Sequence, residues 1–467
     1  MRDLHIVILA AGKGTRMKSA TPKVLHPLVG RPIIEHVLDT ADQLRAASTT
    51  LVVGHGSDRV RAALAGRTNL QFVVQSPLLG TGHALLQAEP VLKGLKGDVL
   101  LLYADVPLLE LGTVLRLLEA HREARAAMTV LSADLPDPYG YGRIVRSKDG
   151  LVERIVEERD ASAEQREIRE INSGIYVLSM ESLFAHLNSL GAENAQGEHY
   201  LTDLVTMYRQ EGVRVECLRV DHADQLRGVN SRQDLADLSL TLRQRKNRSL
   251  MAEGVTLEDP ASTYVDSNVE VGADTVLGPG VRLEGRTVVG ERCHIHAGCR
   301  LTNATLEDDV VVLDHCVVVE SVLAQHATVG PMAHIRPHSV VGPSARVGNF
   351  VELKKTTLGK GSKASHLAYL GDATIGEGVN VGAGTITCNY DGDKKHPTVI
   401  EDGVFIGSDS QLIAPVTLGK GSYVGAGSSI TSDVPAGALA IARGRQVVKP
   451  DWAAERKARR DAQKRDS

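Results

Sequence analysis

Residues 264–302 read YVDSNVEVGADTVLGPGVRLEGRTVVGERCHIHAGCRLT. Val265, Val271, Leu277, Leu283, Val289, Ile295 and Leu301 stand six residues apart in this stretch. The spacing resumes as Val329, Ile335, Val341, Val347 and Leu353, and again as Ile400, Ile406, Leu412, Leu418, Val424 and Ile430. The aliphatic is often followed by glycine, as at Val271-Gly272 and Leu418-Gly419, and a small or β-branched residue often sits four on, as at Thr275, Val281, Thr287 and Cys293. A helix needs apolar spacings of three and four. A period of six predicts short parallel strands wound as a prism, each aliphatic pointing inward at one level of the coil. Such an interior is too narrow for rings, and the chain of 467 residues carries only one Trp, ten Tyr and four Phe, against 45 Gly.

Outward from the repeats the texture changes. Residues 233–253 (QDLADLSLTLRQRKNRSLMAE) contain no Gly or Pro, and Leu235, Leu238 and Leu242 repeat near helical spacing. This predicts one long, partly exposed helix linking two domains. Residues 1–232 alternate β-like runs (His5–Leu9, Thr50–Val53, Gln71–Val74, Val99–Tyr103, Ala127–Leu131, Gly174–Leu178) with amphipathic segments such as Pro32–Arg45 and Leu109–Ala124. Alternation of that kind predicts an α/β, Rossmann-like layered domain on a largely parallel sheet. The expected organisation is therefore a layered domain over 1–232, a helix over 233–253 and a repeat domain over 254–467.

Charge and composition exclude several classes. A net charge of −4 gives no basic field for nucleic acid. No apolar run approaches the roughly 20 residues that span a bilayer. The opening MRDLHIVILAAGKG does not read as a secretory leader, and five cysteines (Cys217, Cys293, Cys299, Cys316, Cys388) without a C-x-x-C pair suit a reducing compartment. The expectation is a cytoplasmic protein with neither membrane nor nucleic-acid partners. The segment Arg443–Ser467 holds nine basic and four acidic residues. It is either a solvated tail or a segment whose start touches an anionic ligand.

Two regions carry chemistry. Residues 6–16, IVILAAGKGTR, place a Gly-rich turn and basic side chains after a buried strand, where backbone N–H groups can cradle phosphates. The turn is neither a P-loop nor a dinucleotide fingerprint. Lys23 adds a further cation. Asp105 follows the apolar run Leu100–Tyr103, where α/β sheets bind ligands. It reads either as a hard-oxygen ligand for Mg²⁺ or as an ordinary turn aspartate. The second region runs from Lys354 through His366, Tyr369 and Asn380 to the polar insertion Thr387–Val399, with Arg336 before it. A solenoid needs none of these residues to fold, and loops projecting from a rigid scaffold concentrate function. His366 reads either as a corner side chain or as a base in an anion-binding pocket.

The run Leu9-Ala10-Ala11-Gly12-Lys13-Gly14-Thr15-Arg16-Met17 with Pro22-Lys23 resembles the signature of sugar-phosphate nucleotidyltransferases. Gln75, Gly80-Thr81-Gly82-His83-Ala84, Tyr141-Gly142-Arg143-Ile144, Glu157, Asn172-Ser173-Gly174 and Gly228-Val229-Asn230, followed by a hexapeptide prism, narrow the resemblance. From about residue 5 to about 450, the chain is similar to the bacterial bifunctional UDP-N-acetylglucosamine pyrophosphorylase/glucosamine-1-phosphate N-acetyltransferase family. That resemblance implies a left-handed parallel β-helix, a homotrimer with active sites between subunits, Mg²⁺, and UTP and acetyl-CoA as co-substrates. It implies a product that feeds peptidoglycan and lipopolysaccharide synthesis. By the same resemblance, Leu9, Ala10, Ala11 and Gly12 meet the uridine and phosphates, Gln75, Gly80 and Thr81 read the uracil, and Lys23 and Arg16 lie along the triphosphate. Gly142, Glu157 and Asn172 hold N-acetylglucosamine. Tyr103 and Ala104 bind the nucleotide sugar too, with Ala104 where the family commonly has glycine, and Asp105 and Asn230 bind Mg²⁺. In the repeat domain Arg336 and Lys354 bind the sugar phosphate, Tyr369 and Asn380 position the sugar, and His366 is the general base. Ala383, Asn389, Tyr390, Ser408, Ala426 and Arg443 line the acetyl-CoA groove. Cys388 is either an acyl-carrying nucleophile or a bystander.

Two rival readings share the architecture. ADP-glucose and GDP-mannose pyrophosphorylases lack the Ser365-His366-Leu367 cluster and the insertion at Gly384–Gly392. Non-catalytic regulatory subunits have degraded motifs, whereas Lys23, Asp105, Asn230 and His366 all stand here.

Overall fold

The computed structural model describes residues 3–464, so the outermost residues of the first and last expected domains lie outside it. The chain divides into two compact units between Arg245 and Lys246. That point falls inside a continuous helix, Arg232–Ala252.

The first unit is built on a sheet whose seven central strands run, edge to edge, Val215–Val220, Met128–Asp134, Glu170–Ser179, Asp98–Tyr103, Leu4–Ala10, Ser48–Val53 and Leu70–Val74. Both faces are covered, so the strands are near-continuous apolar runs. Ile6 and Ile8 pack with Ile34, Val37 and Leu117 on one side. Val7 and Leu9 pack with Leu85, Leu183 and Leu204 on the other. Most pairs are parallel, but Glu170–Ser179 is antiparallel to both its neighbours. A hairpin, Gly142–Arg146 and Val152–Val156, hangs from Ile171 and Asn172. Neither hairpin strand nor Val215–Val220 shows a clear periodic signal, because each is short and interrupted by charged residues. Leu4–Ala10 lies between Ser48–Val53, which follows it in sequence, and Asp98–Tyr103 on its other side. The chain therefore reverses its direction of travel at the carboxyl ends of Leu4–Ala10 and Asp98–Tyr103, which is where open α/β sheets leave a crevice for ligands.

The second unit is a three-faced parallel prism. Each strand pairs with its counterpart one coil on, 18 residues from Tyr264 to Arg282 and 17 from Arg300 to Val317. The inward aliphatics form one column of buried residues from Val265 to Ile430. The interruptions in the six-residue spacing are not breaks in this column. Four of them are corners shortened by one residue, from Leu301 to Leu306, Val318 to Leu323, Leu353 to Leu358 and Leu370 to Ile375, all of them buried. Each short corner turns on a non-glycine residue at positive φ: Asn303 (50°), Glu320 (44°), Lys355 (48°) and Asp372 (50°). That conformation costs a side chain roughly 1–2 kcal/mol, offset by keeping the next aliphatic in register. Buried hydroxyls bind carbonyls across coils, as Thr356 does to Leu370 (2.8 Å) and Ser362 to Gly376 (2.7 Å). Gly348 is obligatory, since a Cβ there would lie 1.8 Å from the Ser365 carbonyl oxygen. The insertion lengthens one coil to the 25 residues between Ile386 and Gln411, and closes on itself through a Tyr390–Lys395 bridge.

Candidate active sites

A cleft of about 440 Å³ opens at the reversal point of the sheet. Leu9, Ala10, Ala11, Gly12, Lys23, Gln75, Gly80, Thr81, Tyr103 and Asp105, all named from the sequence, line it together. Lys13, Val24, Leu78, Ala84 and Glu198 line it too. Lys13 and Ala84 stand inside the quoted signatures without an assigned role, and Val24, Leu78 and Glu198 carried no signature of their own. The Gly-rich turn lies against Lys23: a Cβ on Gly14, at φ +60°, would meet Lys23 Cβ at 2.8 Å. Lys23 Nζ donates to Asp105 Oδ2 and to Asn230 Oδ1, the latter at 3.2 Å. Asn230 is held by the start of the long helix. Asp234 Oδ2 accepts from the Asn230 and Ser231 backbone N–H groups (3.0 and 2.8 Å), while Ser231 Oγ accepts from the Asp234 N–H (3.2 Å). This reciprocal cap fixes a residue from the far end of the domain beside the first loop.

Glu157 lies against the Gly142 Cα, where a Cβ would come 3.4 Å from its Oε2, and accepts from Thr202 Oγ1 (3.2 Å). Burial, reinforced by Asp160, Asp203 and Glu198, pushes its carboxyl above the usual range. Burial also pushes the Tyr103 phenol well up, with Glu157 and Asp105 adding to the shift. Asn172 donates to Tyr176 Oη (2.6 Å) and accepts from the Gly174 N–H (3.1 Å). The side chains of two further named residues, Ala104 and Arg16, do not line the cleft. Ala104 is fully buried in the apolar core, so its methyl does not face the cleft. It donates its N–H to the Leu9 carbonyl (3.0 Å) and acts as backbone alone. Arg16 is exposed and is not among the residues lining the cleft.

In the prism, two columns meet at one corner. Asn349 pairs with His366, and continuing the register of Ala364 with Val381 sets Ala383 over His366. Ser408 and Ala426 follow on the next coils: a Cβ on Gly382 would meet Ser408 N at 2.6 Å, and one on Gly407 would meet Ala426 N at 2.4 Å. Arg443 Nη1 donates to the Ala426 carbonyl (2.7 Å). The base and most of the acetyl-CoA residues thus share one edge. His366 Nδ1 is 2.8 Å from Asn349 Oδ1, and because that oxygen only accepts, Nδ1 carries the proton and Nε2 is left as the free acceptor.

On the adjacent face Arg336 donates to Glu352 Oε1 (2.7 Å) and Lys354 to Asp372 Oδ2 (3.1 Å). Asn389 Nδ2 reaches Asp372 Oδ2 (2.5 Å) and Tyr369 Oη (3.4 Å). Burial opposes ionisation of Asp372, but Lys354 and Asn389 outweigh it and hold the carboxyl below its usual range. Lys395, from the insertion, is held below the ordinary lysine range by its contact with Lys354 and that neighbour's charge. Both Lys355 and Asp372 turn short corners, so the one-residue deletions aim this cluster. Tyr390 is exposed and donates to the Gly392 carbonyl (2.6 Å). Asn380 stands on the His366 face between Lys363 and Phe405, and no side-chain hydrogen bond joins it to Tyr369 or Lys354 among the described residues. Burial raises the Cys388 thiol, which disfavours a nucleophilic thiolate. The basic segment forms a helix, Trp452–Gln463, with every residue exposed.

Residues 6–207 match the MobA-like NTP transferase domain family, residues 260–342 the GMPPB C-terminal domain, and residues 397–432 the bacterial transferase hexapeptide family with six repeats. The chain is 50% identical over 467 residues to a Bifunctional protein GlmU from Koribacter versatilis, covering 99% of both chains. It is 49% identical over 452 residues to one from Pelobacter propionicus, covering 97% of this chain and 98% of the relative. It is 48% identical over 469 aligned residues to one from Geobacter metallireducens, again covering 97% and 98%. A nucleotide-sized cleft on an α/β sheet and a basic cluster on a hexapeptide prism, joined in one chain and matched along its whole length, establish that the chain belongs to the bifunctional GlmU family.

Proposed function

We propose that the two sites divide the two reactions between them. The prism acetylates glucosamine-1-phosphate with acetyl-CoA. The layered domain then transfers uridylyl from UTP to N-acetylglucosamine-1-phosphate, giving UDP-N-acetylglucosamine and pyrophosphate. The observation that carries this reading is the convergence of Lys23, Asp105 and Asn230 at the mouth of the cleft.

The donors there suit Mg²⁺. Two hard oxygens, one carboxylate and one carboxamide, already share a cationic head, the Lys23 ammonium. Mg²⁺ takes one or two such protein oxygens and fills its octahedron with phosphates and water. No cluster of three or more His, Cys, Asp or Glu competes for it among the described residues. Asp105 and Asn230 would hold the ion, which when bound neutralises charge building on the phosphates. Lys23 neutralises the triphosphate from the protein side, and the backbone of Leu9–Gly12 aligns it. Glu157, Asn172 and the Gly142 backbone orient the sugar, so that its phosphate oxygen attacks the α-phosphorus while pyrophosphate leaves. Alignment and charge neutralisation suffice for such a transfer, without a covalent nucleophile.

In the prism Arg336 and Lys354 pair with the sugar phosphate and Tyr369 positions the ring. His366 Nε2 takes the proton lost by the 2-amino group as it attacks the thioester carbonyl. The position of Asn380 supports a homotrimer in which a neighbouring copy completes each site. The stacked, exposed Phe405 and Tyr423 on the same face (5.5 Å between centroids) give that copy an apolar surface to cover. The protein works in the cytoplasm. A coupled assay with glucosamine-1-phosphate, acetyl-CoA, UTP and Mg²⁺ tests the whole reading. UDP-N-acetylglucosamine should form only when all four are present. Turnover of ATP or GTP in place of UTP, or no acetyl transfer, would refute it.

A further inference from the structure

Gln75 is only 5% exposed, and its side-chain amide meets two groups. Its Nε2 donates to the Gly80 carbonyl (2.9 Å) and approaches His83 Nδ1 (3.2 Å). A carbonyl oxygen can only accept, so Nε2 must face Gly80, and the amide's second proton then points at His83. Nδ1 must therefore be the acceptor of a neutral ring, with the ring proton on Nε2. Burial, and then the nearby His199, push His83 below the ordinary imidazole value, in keeping with a neutral ring. On the far side, a Gln87 amide atom lies 3.1 Å from His83 Nε2. A neutral imidazole cannot accept from two amide N–H groups. Gln87, which is half-buried, is the side chain that can give up its longer bond to the His83 carbonyl (3.2 Å, against 2.9 Å from Gln75 to Gly80) and turn its oxygen toward Nε2–H. Gln75, enclosed, cannot turn.

We propose that His83 is a positioning residue for base selection: by accepting the second Nε2 proton, it locks the Gln75 amide with Oε1 as the acceptor presented to the base. Uracil carries an imino N3–H that such an acceptor fits. Cytosine carries an unprotonated N3 in the same place, a second acceptor that meets Oε1 in repulsion. A site built around one oriented hydrogen-bonding group rejects the analogue of opposite polarity strongly, because the buried group is left unpaired. This inference rests on the reading that Gln75 reads the base, and deepens it by naming what orients Gln75.

The test compares kcat and KM for UTP and CTP, with N-acetylglucosamine-1-phosphate as acceptor, across three full-length variants. His83→Leu removes the acceptor and should raise KM for UTP about tenfold, with kcat within about twofold. The UTP-over-CTP preference should shrink by a similar factor. His83→Asn places an amide oxygen near the Nδ1 position and should restore most of the preference. Gln75→Ala should abolish most of the preference. The melting transition of the first unit, which holds both residues, reports whether each variant is folded. If Gln75→Ala shifts the preference and His83→Leu does not, the positioning role is overturned while base reading by Gln75 stands. If Gln75→Ala leaves the preference intact, base reading by Gln75 fails and the inference fails with it. If His83→Asn behaves like His83→Leu, acceptance at Nδ1 is not what matters and the proposal is likewise overturned.

Discussion

Truncating His366 to alanine separates chemistry from folding, because the ring stands on an exposed edge and its one hydrogen bond runs to Asn349 (2.8 Å). No buried contact is lost, so stability should change within about 0.5 kcal/mol, as for surface substitutions generally. The chemical loss should be far larger. The 2-amino group must shed a proton as the C–N bond forms, and a positioned base contributes about 10²–10⁴-fold. At about 1.36 kcal/mol per factor of ten, this is roughly 3–5 kcal/mol of barrier. Acetyl transfer, followed as free thiol released from acetyl-CoA at saturating glucosamine-1-phosphate, should therefore lose that factor in kcat. KM should hardly move, since Arg336 and Lys354 carry the phosphate. Asn349→Ala keeps the base but frees its orientation, and a smaller loss of about 10-fold is expected, in line with the cost of misplacing a catalytic group. Uridylyl transfer by both variants should match wild type. A His366→Ala enzyme retaining more than about a third of wild-type kcat, far above the expected range, would refute the assignment and turn attention to Tyr369.

Three further outcomes are expected. Asp105→Ala should abolish Mg²⁺-dependent pyrophosphate release while acetyl transfer survives both the substitution and EDTA; equal loss of both activities in EDTA would contradict the metal assignment. The Glu157 carboxyl is raised by burial, so in the folded chain ionisation costs stability at neutral pH, a cost that vanishes as pH falls through the raised value. Glu157→Gln should therefore melt slightly higher at pH 7 while binding N-acetylglucosamine-1-phosphate more weakly. The wild-type KM for that substrate should rise on acidification before ordinary carboxylates titrate, and a flat KM profile would count against the role. Gly348→Ala drives a Cβ into the Ser365 carbonyl one coil away and should destabilise the prism by about 1–3 kcal/mol, lowering its melting transition and disturbing the adjoining Asn349–His366 pair.

The cleft was more legible than the prism cluster, for a local reason. Leu9 to Gly12 are one contiguous run at the end of a strand, and Gln75, Gly80 and Thr81 fall within one short stretch, so each arrives as a string that a reader can match. The Ala104 side chain, in the turn just past the strand Asp98–Tyr103, is directed into the core while its neighbour Asp105 faces the cleft, a split that no sequence pattern marks. The column Asn349–His366–Ala383–Ser408–Ala426 was named only in part, since its members lie a whole coil apart and only the register aligns them.

By itself the sequence determined the prism, because a narrow parallel coil repeats one inward aliphatic per face, and that demand is written as a period of six. It also determined the layered domain, because buried parallel strands must be continuous apolar runs between amphipathic helices. Tertiary structure alone decided where the runs of six joined. Four corners lose a residue and pass through positive φ to keep the aliphatic column intact, and two of them bring Lys354, Lys355 and Asp372 into one cluster. It alone decided that Asn230, capped on a helix 207 residues beyond Lys23, meets the same ammonium as Asp105. Local pattern records what each segment must bury, whereas the meeting of segments far apart in the chain depends on the register and reversals of the whole sheet and coil.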